Sequence, residues 1–382
     1  MKGGRNLTSL RITSNHIKRL PALPPQLQQL NVGHCSKLRT LSALPLTLRQ
    51  LDCGNCPKLE ALPSNLNATA VSQLNCSCCS LLKSLPQLPA SLLELDASEC
   101  RSLLQLPALP EGLSRLTISS CRELTELPQL PASLRSFNCV DCDALVQLPQ
   151  LSHTGIIELD CSGCDLLEEL PDMPDSLEIL LAGEGAGTVA GSLYNLTWLP
   201  RLPTETLKQL DINSSHIDEL PSSLPLLEVL RCCATYIGQL PALPSCQVLD
   251  LKECEALEHL PQQLPSGLTH LDCSDCSALE QLPVQLPAGL VFLDCSNCSA
   301  LEQLPEQLPA GLFELSCGSV GLWQLPEQLP GSLICLNCSG CRALQQLPEQ
   351  LLKRCAATDN ETFKPRRQLR GQPLQGTAAI AV

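Results

Sequence analysis

One segment recurs along almost the whole chain. Leu268-x-x-Leu271-Asp-Cys273-Ser-Asp-Cys276-Ser-Ala-Leu279-Glu-Gln-Leu282-Pro-Val-Gln-Leu286-Pro returns 22 residues later from Leu290, through Cys295, Cys298, Leu301, Leu304-Pro305 and Leu308-Pro309. Units of this kind start at Leu7, Leu27, Leu48, Val71, Leu92, Leu113, Leu134, Ile156, Leu177, Leu207, Leu227, Cys246, Leu268, Leu290, Leu312 and Leu333. That makes about sixteen units, mostly of 20–22 residues. A unit this short cannot close a core by itself. It buries its apolar side against the units before and after it.

The spacing inside the unit sets its conformation. The run L-x-x-L-x-(L/C) alternates, which predicts a short strand with Leu and Cys pointing inward. Strands of successive units then lie side by side in one parallel sheet. In the L-P-x-x-L-P half, proline removes backbone donors and pushes the preceding Leu toward extended conformations. The expected fold is therefore an α/β-type repeat solenoid. It is a leucine-rich-repeat horseshoe with one curved parallel β-sheet and an extended, largely non-helical convex side.

Composition fits this frame. The chain has 84 Leu and only eight aromatic residues, so Leu and Cys must fill a core made of thin slices. The 25 Cys include seven Cys-x-x-Cys pairs, at 53/56, 76/79, 139/142, 161/164, 273/276, 295/298 and 338/341. The same spacing serves zinc ligands. Here the first Cys falls on the third inward strand position and the second on the turn that follows. Val32, Ile12, Ala97, Ile118 and Ile212 replace the first Cys elsewhere. An apolar slot tolerates that exchange and a metal site does not, so the cysteines read as structural packing residues. No cofactor and no metal is expected.

Three segments follow: a short lead at 1–6, the solenoid at 7–351, and a tail at 352–382. The Gly-rich stretch at 182–192 lengthens one unit, fails the spacing of a phosphate-binding loop and reads as an inserted loop. Tyr194 and Trp198 are expected to cover it. Residues 51–351 carry 11 basic and 37 acidic side chains, a net of −26, whereas the tail carries six basic and two acidic. An acidic body disfavours nucleic acid and anionic membrane as partners. The tail, with its Lys364-Pro-Arg366-Arg367 cluster, reads as a basic disordered end. No apolar run approaches the length of a membrane span, and no Sec-type signal opens the chain.

The L-P-x-x-L-P-x-x-L-x-x-L spacing over residues 7–351 resembles the short bacterial leucine-rich repeats of the IpaH and YopM family of secreted effectors. The segment Cys276-Ser-Ala-Leu279 departs from that class and looks more like the cysteine-bearing repeats of plant immune receptors. The resemblance implies a non-enzymatic protein-recognition scaffold, secreted by a specialised system into the host-cell cytoplasm. Two alternatives stay open. One is the substrate-recognition region of an IpaH-type ubiquitin ligase without its catalytic domain, and the other is a cytoplasmic adaptor. The ligase nucleophile of that family sits in Cys-x-Asp. Cys139-Val-Asp141 and Cys273-Ser-Asp275 match by letter but fall on core positions, so no catalytic residue is expected.

Residues between the inward leucines should face the concave surface. The position after the second Leu carries Asp52, Asp96, Asp160, Asp211, Asp250, Asp272 and Asp294, interleaved with Asn31, Asn75, Asn138 and Asn337 and broken by Arg11 and Arg231. The position before it adds Glu158, His270, Phe292 and Glu314. Stacked carboxylates repel, so this face is expected to bind a protein with a basic surface and no small-molecule substrate. Two other readings remain: the Asp/Asn stripe serves solubility and turn hydrogen bonds alone, or it holds calcium. Phe292 is a candidate anchor. Trp323, in a unit without its second Cys, is expected to fill that gap.

Overall fold

The computed structural model describes residues 7–184, 196–319 and 321–348, and the backbone of 379–381. The inserted loop beyond Glu184, Tyr194, and the Lys364–Arg367 cluster lie outside the described residues, as does the tail except for 379–381. The chain forms two compact units, divided between Thr206 and Leu207.

The first unit is a stack of nine three-residue strands. These are β1 (Ser9–Arg11), β2 (Gln29–Asn31), β3 (Gln50–Asp52), β4 (Gln73–Asn75), β5 (Glu94–Asp96), β6 (Arg115–Thr117), β7 (Ser136–Asn138), β8 (Glu158–Asp160) and β9 (Ile179–Leu181). Each pairs in parallel with the next, with Leu opposite Leu or Phe: Leu10 on Leu30, Leu95 on Leu116, Leu116 on Phe137. The second unit stacks β10 (Gln209–Asp211), β11 (Val229–Arg231), β12 (Val248–Asp250), β13 (His270–Asp272), β14 (Phe292–Asp294), β15 (Glu314–Ser316) and β16 (Cys335–Asn337) in the same way. A last strand, β17 (Ala379–Ala381), pairs antiparallel with β16. Every strand from β1 to β16 starts two residues after a repeat start. Both units are leucine-rich-repeat solenoids.

The back of each repeat is extended chain and turns. Among the described residues there is no α-helix, and one 3-10 turn at Leu66–Ala68. Proline shapes the return to the sheet. The N–H of Leu268 donates to the Pro265 carbonyl at 3.0 Å, and Leu48, Leu92, Leu290 and Leu312 do the same toward Pro45, Pro89, Pro287 and Pro309. Each second L-P doublet thus opens the tight turn that aims the next strand. Short parallel bridges such as Arg19 on Thr40 and His259 on Gln281 tie neighbouring backs together.

The core of each slice is Leu, Leu, Cys, Cys, Leu. Leu290, Leu293, Cys295, Cys298 and Leu301 are all fully buried. The second cysteine does more than pack. Its thiol donates to the backbone carbonyl at the third inward position of the preceding repeat: Cys56 to Val32 at 3.3 Å, Cys142 to Ile118 at 3.2 Å, Cys164 to Cys139 at 3.1 Å, Cys298 to Cys273 at 3.0 Å. That carbonyl faces the core, where a missing partner would be costly. Two repeats place a hydroxyl in the slot instead. Ser215 donates to Ile212 at 2.8 Å and Thr235 to Cys232 at 2.7 Å, each within its own repeat. The slot therefore requires a small buried donor, and sulfur is one way to supply it.

The residue before the slot takes the left-handed conformation in repeat after repeat. Examples are Asn55 (φ 56°), Asp141 (φ 55°), Ala234 (φ 52°) and Asn297 (φ 59°). Such angles cost side-chain-bearing residues free energy. Each is held by a backbone bond to the following repeat, as from Asn55 N–H to Ser77 at 2.8 Å and Asn297 N–H to Gly318 at 2.7 Å.

Trp323 differs from expectation. Leu322 takes the inward place, fully buried, and Trp323 follows it outward, 43% exposed. Its N–H pairs with the Glu302 carbonyl, so it continues an exposed row of the turn and fills no gap. The buried hydroxyl of Ser319 donates at 2.5 Å to the Cys298 carbonyl, a different carbonyl from the one at the third inward position that the slot cysteines serve. Trp198 is 47% exposed. No helix among the described residues is long and apolar enough to cross a membrane.

Candidate functional site

Each strand from β2 to β16 buries its middle residue and shows the two flanking ones more, so two rows of side chains run across the open face of each sheet. The first row precedes the buried Leu. It holds Gln50, Gln73, Glu94 and Glu158 in the first unit, and His270, Phe292 and Glu314 in the second. The second row follows the Leu. It holds Asp52, Asp96 and Asp160 in the first unit, and Asp211, Asp250, Asp272 and Asp294 in the second.

The second row has a structural task that the spacing Asp-x-Ser could have shown. Asp272 Oδ1 accepts the N–H of Ser274 at 2.9 Å and its hydroxyl at 2.6 Å. Asp294 and Ser296, Asp96 and Ser98, and Asp160 and Ser162 repeat the arrangement. Asn75 does the same for Ser77, with an amide oxygen in place of the carboxylate. These are Asx turns that stop each strand and bend the chain toward the left-handed residue. The turn uses one oxygen of each carboxylate, and in the first unit the second oxygen of Asp52 and of Asp160 accepts an Asn amide from the preceding strand; the side chains stay half-buried.

The two units then differ in charge. In the first unit, carboxylates alternate with neutral groups: Asn31 beside Asp52, Asn75, Asp96, Thr117, Asn138 and Asp160. Asn31 donates to Asp52 Oδ2 at 2.7 Å. In the second, Asp250, Asp272 and Asp294 stand in register on three consecutive strands. Burial holds the Asp272 carboxyl above its ordinary value, with Asp294 and Asp250 adding to it and the Ser274 bonds opposing. At one end of this row Arg231 lies 4.0 Å from Asp211.

The first rows differ as well. In the first unit an amide ladder crosses the strands, with Gln50 donating to Gln73 at 2.6 Å and Gln73 to Glu94 at 3.2 Å. Both rows line a groove of about 660 Å³ over β1–β6, which contains Arg11, Asp52, Glu94, Asp96 and Arg115. In the second unit the row reads Gln209, Val229, Val248, His270, Phe292, Glu314, Cys335. The rings of His270 and Phe292 stack at 6.0 Å and 23°. The sequence reading missed this apolar stretch, although Val229 and Val248 stand at the same spacing as Phe292.

Gly54, three places beyond Leu51, lines no open groove: a Cβ there would come to 3.0 Å from Asn75 Oδ1 and Ser77 Oγ, so the position is filled from the next repeat. Cys139 and Cys273, the Cys-x-Asp matches, are fully buried. Hydrogen bonding with the next ladder thiol, together with burial, pushes both thiols well above the ordinary range. A buried, protonated thiol is neither accessible nor activated as a nucleophile.

A ladder of short parallel strands with an extended back and a varied open face defines a leucine-rich-repeat scaffold. No family model matches the chain, and neither does any curated protein. Among solved structures, YopM from Yersinia enterocolitica WA-314 is similar, with a TM-score of 0.53 and 28% identity, covering 90% of this chain and 87% of that one. YopM from Yersinia pestis, described as a leucine-rich effector protein, is similar with a TM-score of 0.50 and 27% identity, covering 90% and 81%.

Proposed function

We propose that the chain is a non-enzymatic protein-recognition scaffold of the IpaH and YopM kind, and that its open sheet faces bind the partner. One observation carries this reading. Within a frame that repeats the same Leu, Pro and donor slots, the row before the buried Leu changes from strand to strand. It reads Gln, Gln, Glu, Arg, Ser, Glu over β3–β8 and Val, Val, His, Phe, Glu over β11–β15. A frame kept constant while its exposed row varies is suited to matching another surface. The acidic balance of residues 51–351 favours a partner with a basic surface. The likeness to a leucine-rich effector supports delivery into a host cell by a specialised system.

The full chain immobilised on beads, with capture from a eukaryotic lysate quantified by mass spectrometry, tests the reading. Reversing three exposed open-face carboxylates (Glu94→Arg, Glu158→Arg, Glu314→Arg) abolishes capture. Reversing three exposed carboxylates on the turns and back (Glu258→Arg, Glu280→Arg, Glu302→Arg) changes net charge equally and leaves capture intact. Equal effects of the two triples would contradict open-face recognition.

A further inference from the structure

The groove over β1–β6 carries charge at a fixed step. In its second row the register runs Arg11, Asn31, Asp52, Asn75, Asp96 across five consecutive strands. Charged and amide side chains alternate there, so β1 bears a cation and β3 and β5 bear carboxylates. Parallel strands lie about 4.8 Å apart, which spaces these charges by about 9.6 Å. On β5 a second carboxylate, Glu94, stands on the other side of the buried Leu95. Arg115 follows beside Glu94 on β6 and ends the groove with a cation. Arg11 and Arg115 make no ion pair among the described residues.

The groove also holds spare hydrogen-bonding capacity. Asp96 Oδ1 accepts the N–H and hydroxyl of Ser98 at 3.0 and 2.6 Å, while no hydrogen bond to its other oxygen is found among the described residues. Asn75 uses its oxygen for Ser77, and its amide nitrogen makes no hydrogen bond among the described residues. Gln50 and Gln73 each spend one amide N–H on the ladder and keep a second.

The step selects the conformation of the occupant. In an extended β segment every third side chain falls on the opposite side. Two turns of α-helix rise about 10.8 Å, which overshoots by about 2.4 Å over the two steps from β1 to β5. A polyproline II segment turns once in three residues and rises about 3.1 Å per residue, so every third side chain points the same way about 9.3 Å on. Its backbone makes no internal hydrogen bonds, and its carbonyls suit the free amide donors of Asn75, Gln50 and Gln73. Charge then orders the side chains. An acid meets Arg11, a base three residues on meets Asp52, and a second base meets Glu94 and Asp96. Arginine serves best, because its planar fork engages a carboxylate through two parallel bonds.

We propose that the groove over β1–β6 is the docking site for a polyproline II segment of the partner, with an acidic residue at its first position and arginine at its fourth and seventh. This assignment rests on the scaffold reading above and concerns the first unit alone, leaving the open face of the second to the rest of the partner.

Fluorescence anisotropy of labelled, end-blocked peptides with the full chain tests it at physiological ionic strength. Glu-Pro-Pro-Arg-Pro-Pro-Arg and its reversed sequence cover both chain directions, and at least one of them binds. The permuted Arg-Pro-Pro-Glu-Pro-Pro-Arg, equal in composition and net charge, binds about tenfold more weakly. Replacing every Pro of the binding peptide by Gly keeps the charge spacing, removes the preformed conformation and weakens binding severalfold. Asp96→Asn keeps the Ser98 turn, as Asn75 shows, and weakens binding severalfold. Arg11→Glu abolishes the preference for the binding peptide over the permuted one. Glu280→Gln, outside the open face, leaves binding unchanged. Failure of both directions to bind, equal binding of the permuted or the Gly peptide, or equal effects of Asp96→Asn and Glu280→Gln would each overturn the assignment. In the lysate capture, the double variant Arg11→Glu, Asp96→Asn must weaken capture too. If it captures normally while the open-face triple does not, this groove is wrong and the broader scaffold reading stands.

Discussion

At the scale of single residues, the same side chains serve the fold and the face. Asp272 caps its strand through one oxygen while sharing a row with two other carboxylates. Its raised pKa means that the folded state holds the proton more tightly than the unfolded chain does. Folding stability therefore falls as pH rises through the window just above 3.8, and the penalty is fully present at neutral pH. Asp272→Asn keeps the acceptor for Ser274 and removes the repulsion. Thermal unfolding should show a gain of about 0.5 kcal/mol at neutral pH and none in acid. The donor slot is tested at Cys298. Cys298→Ala leaves the buried Cys273 carbonyl unpaired and costs about 1–3 kcal/mol in chemical denaturation, whereas Cys298→Ser keeps a donor and costs less. Equal costs would mean that the slot wants only volume.

At the scale of the element, one repeat is a strand, an Asx turn, a left-handed residue, a buried donor and a proline-aimed return. The Leu periodicity made the strand positions legible to the residue, because register in a parallel stack allows no slip without exposing the leucines. The Pro doublets made the missing helix legible. The hydrogen-bonding role of the second cysteine was legible too, in Ser215 and Thr235 occupying its slot, but only once the carbonyl they serve is located. Trp323 was misplaced because its unit shifts register by one residue after Cys317, which puts Leu322 inward. Burial pushes the thiols of Cys56 and Cys121 from 9.0 up to about 12. These two are neutral thiols, whereas hydrogen bonding with Cys53, Cys232 and Cys273 lowers Cys79, Cys254 and Cys298. The contribution of Cys56 and Cys121 is complete below pH 9 and lost as pH climbs toward 12. Guanidinium midpoints measured from neutral to alkaline pH should stay level and then fall steeply above about pH 9. A flat alkaline limb would argue that the thiols are not protonated donors.

At the scale of the whole molecule, the acidic stripe separates into two different surfaces. The candidates Asp52, Asp96 and Asp160 stand in a row diluted by amides, and the first two share a groove with Arg11, Arg115 and the Gln ladder. The candidates Asp250, Asp272 and Asp294 stand in an unbroken row beside Phe292. Net charge alone could not separate these, since it sums over both. The alternation of Asn with Asp was written in the sequence, but its meaning depends on which residues become cross-strand neighbours. Variation of the exposed rows against a constant frame is the property that a recognition scaffold needs. Hydroxyl-radical footprinting of the full chain, alone and with its captured partner, tests this most directly. Recognition by the open face predicts protection of Phe292 and His270 with Trp323 on the turn side unchanged. Protection of Trp323 with those two unchanged would contradict it.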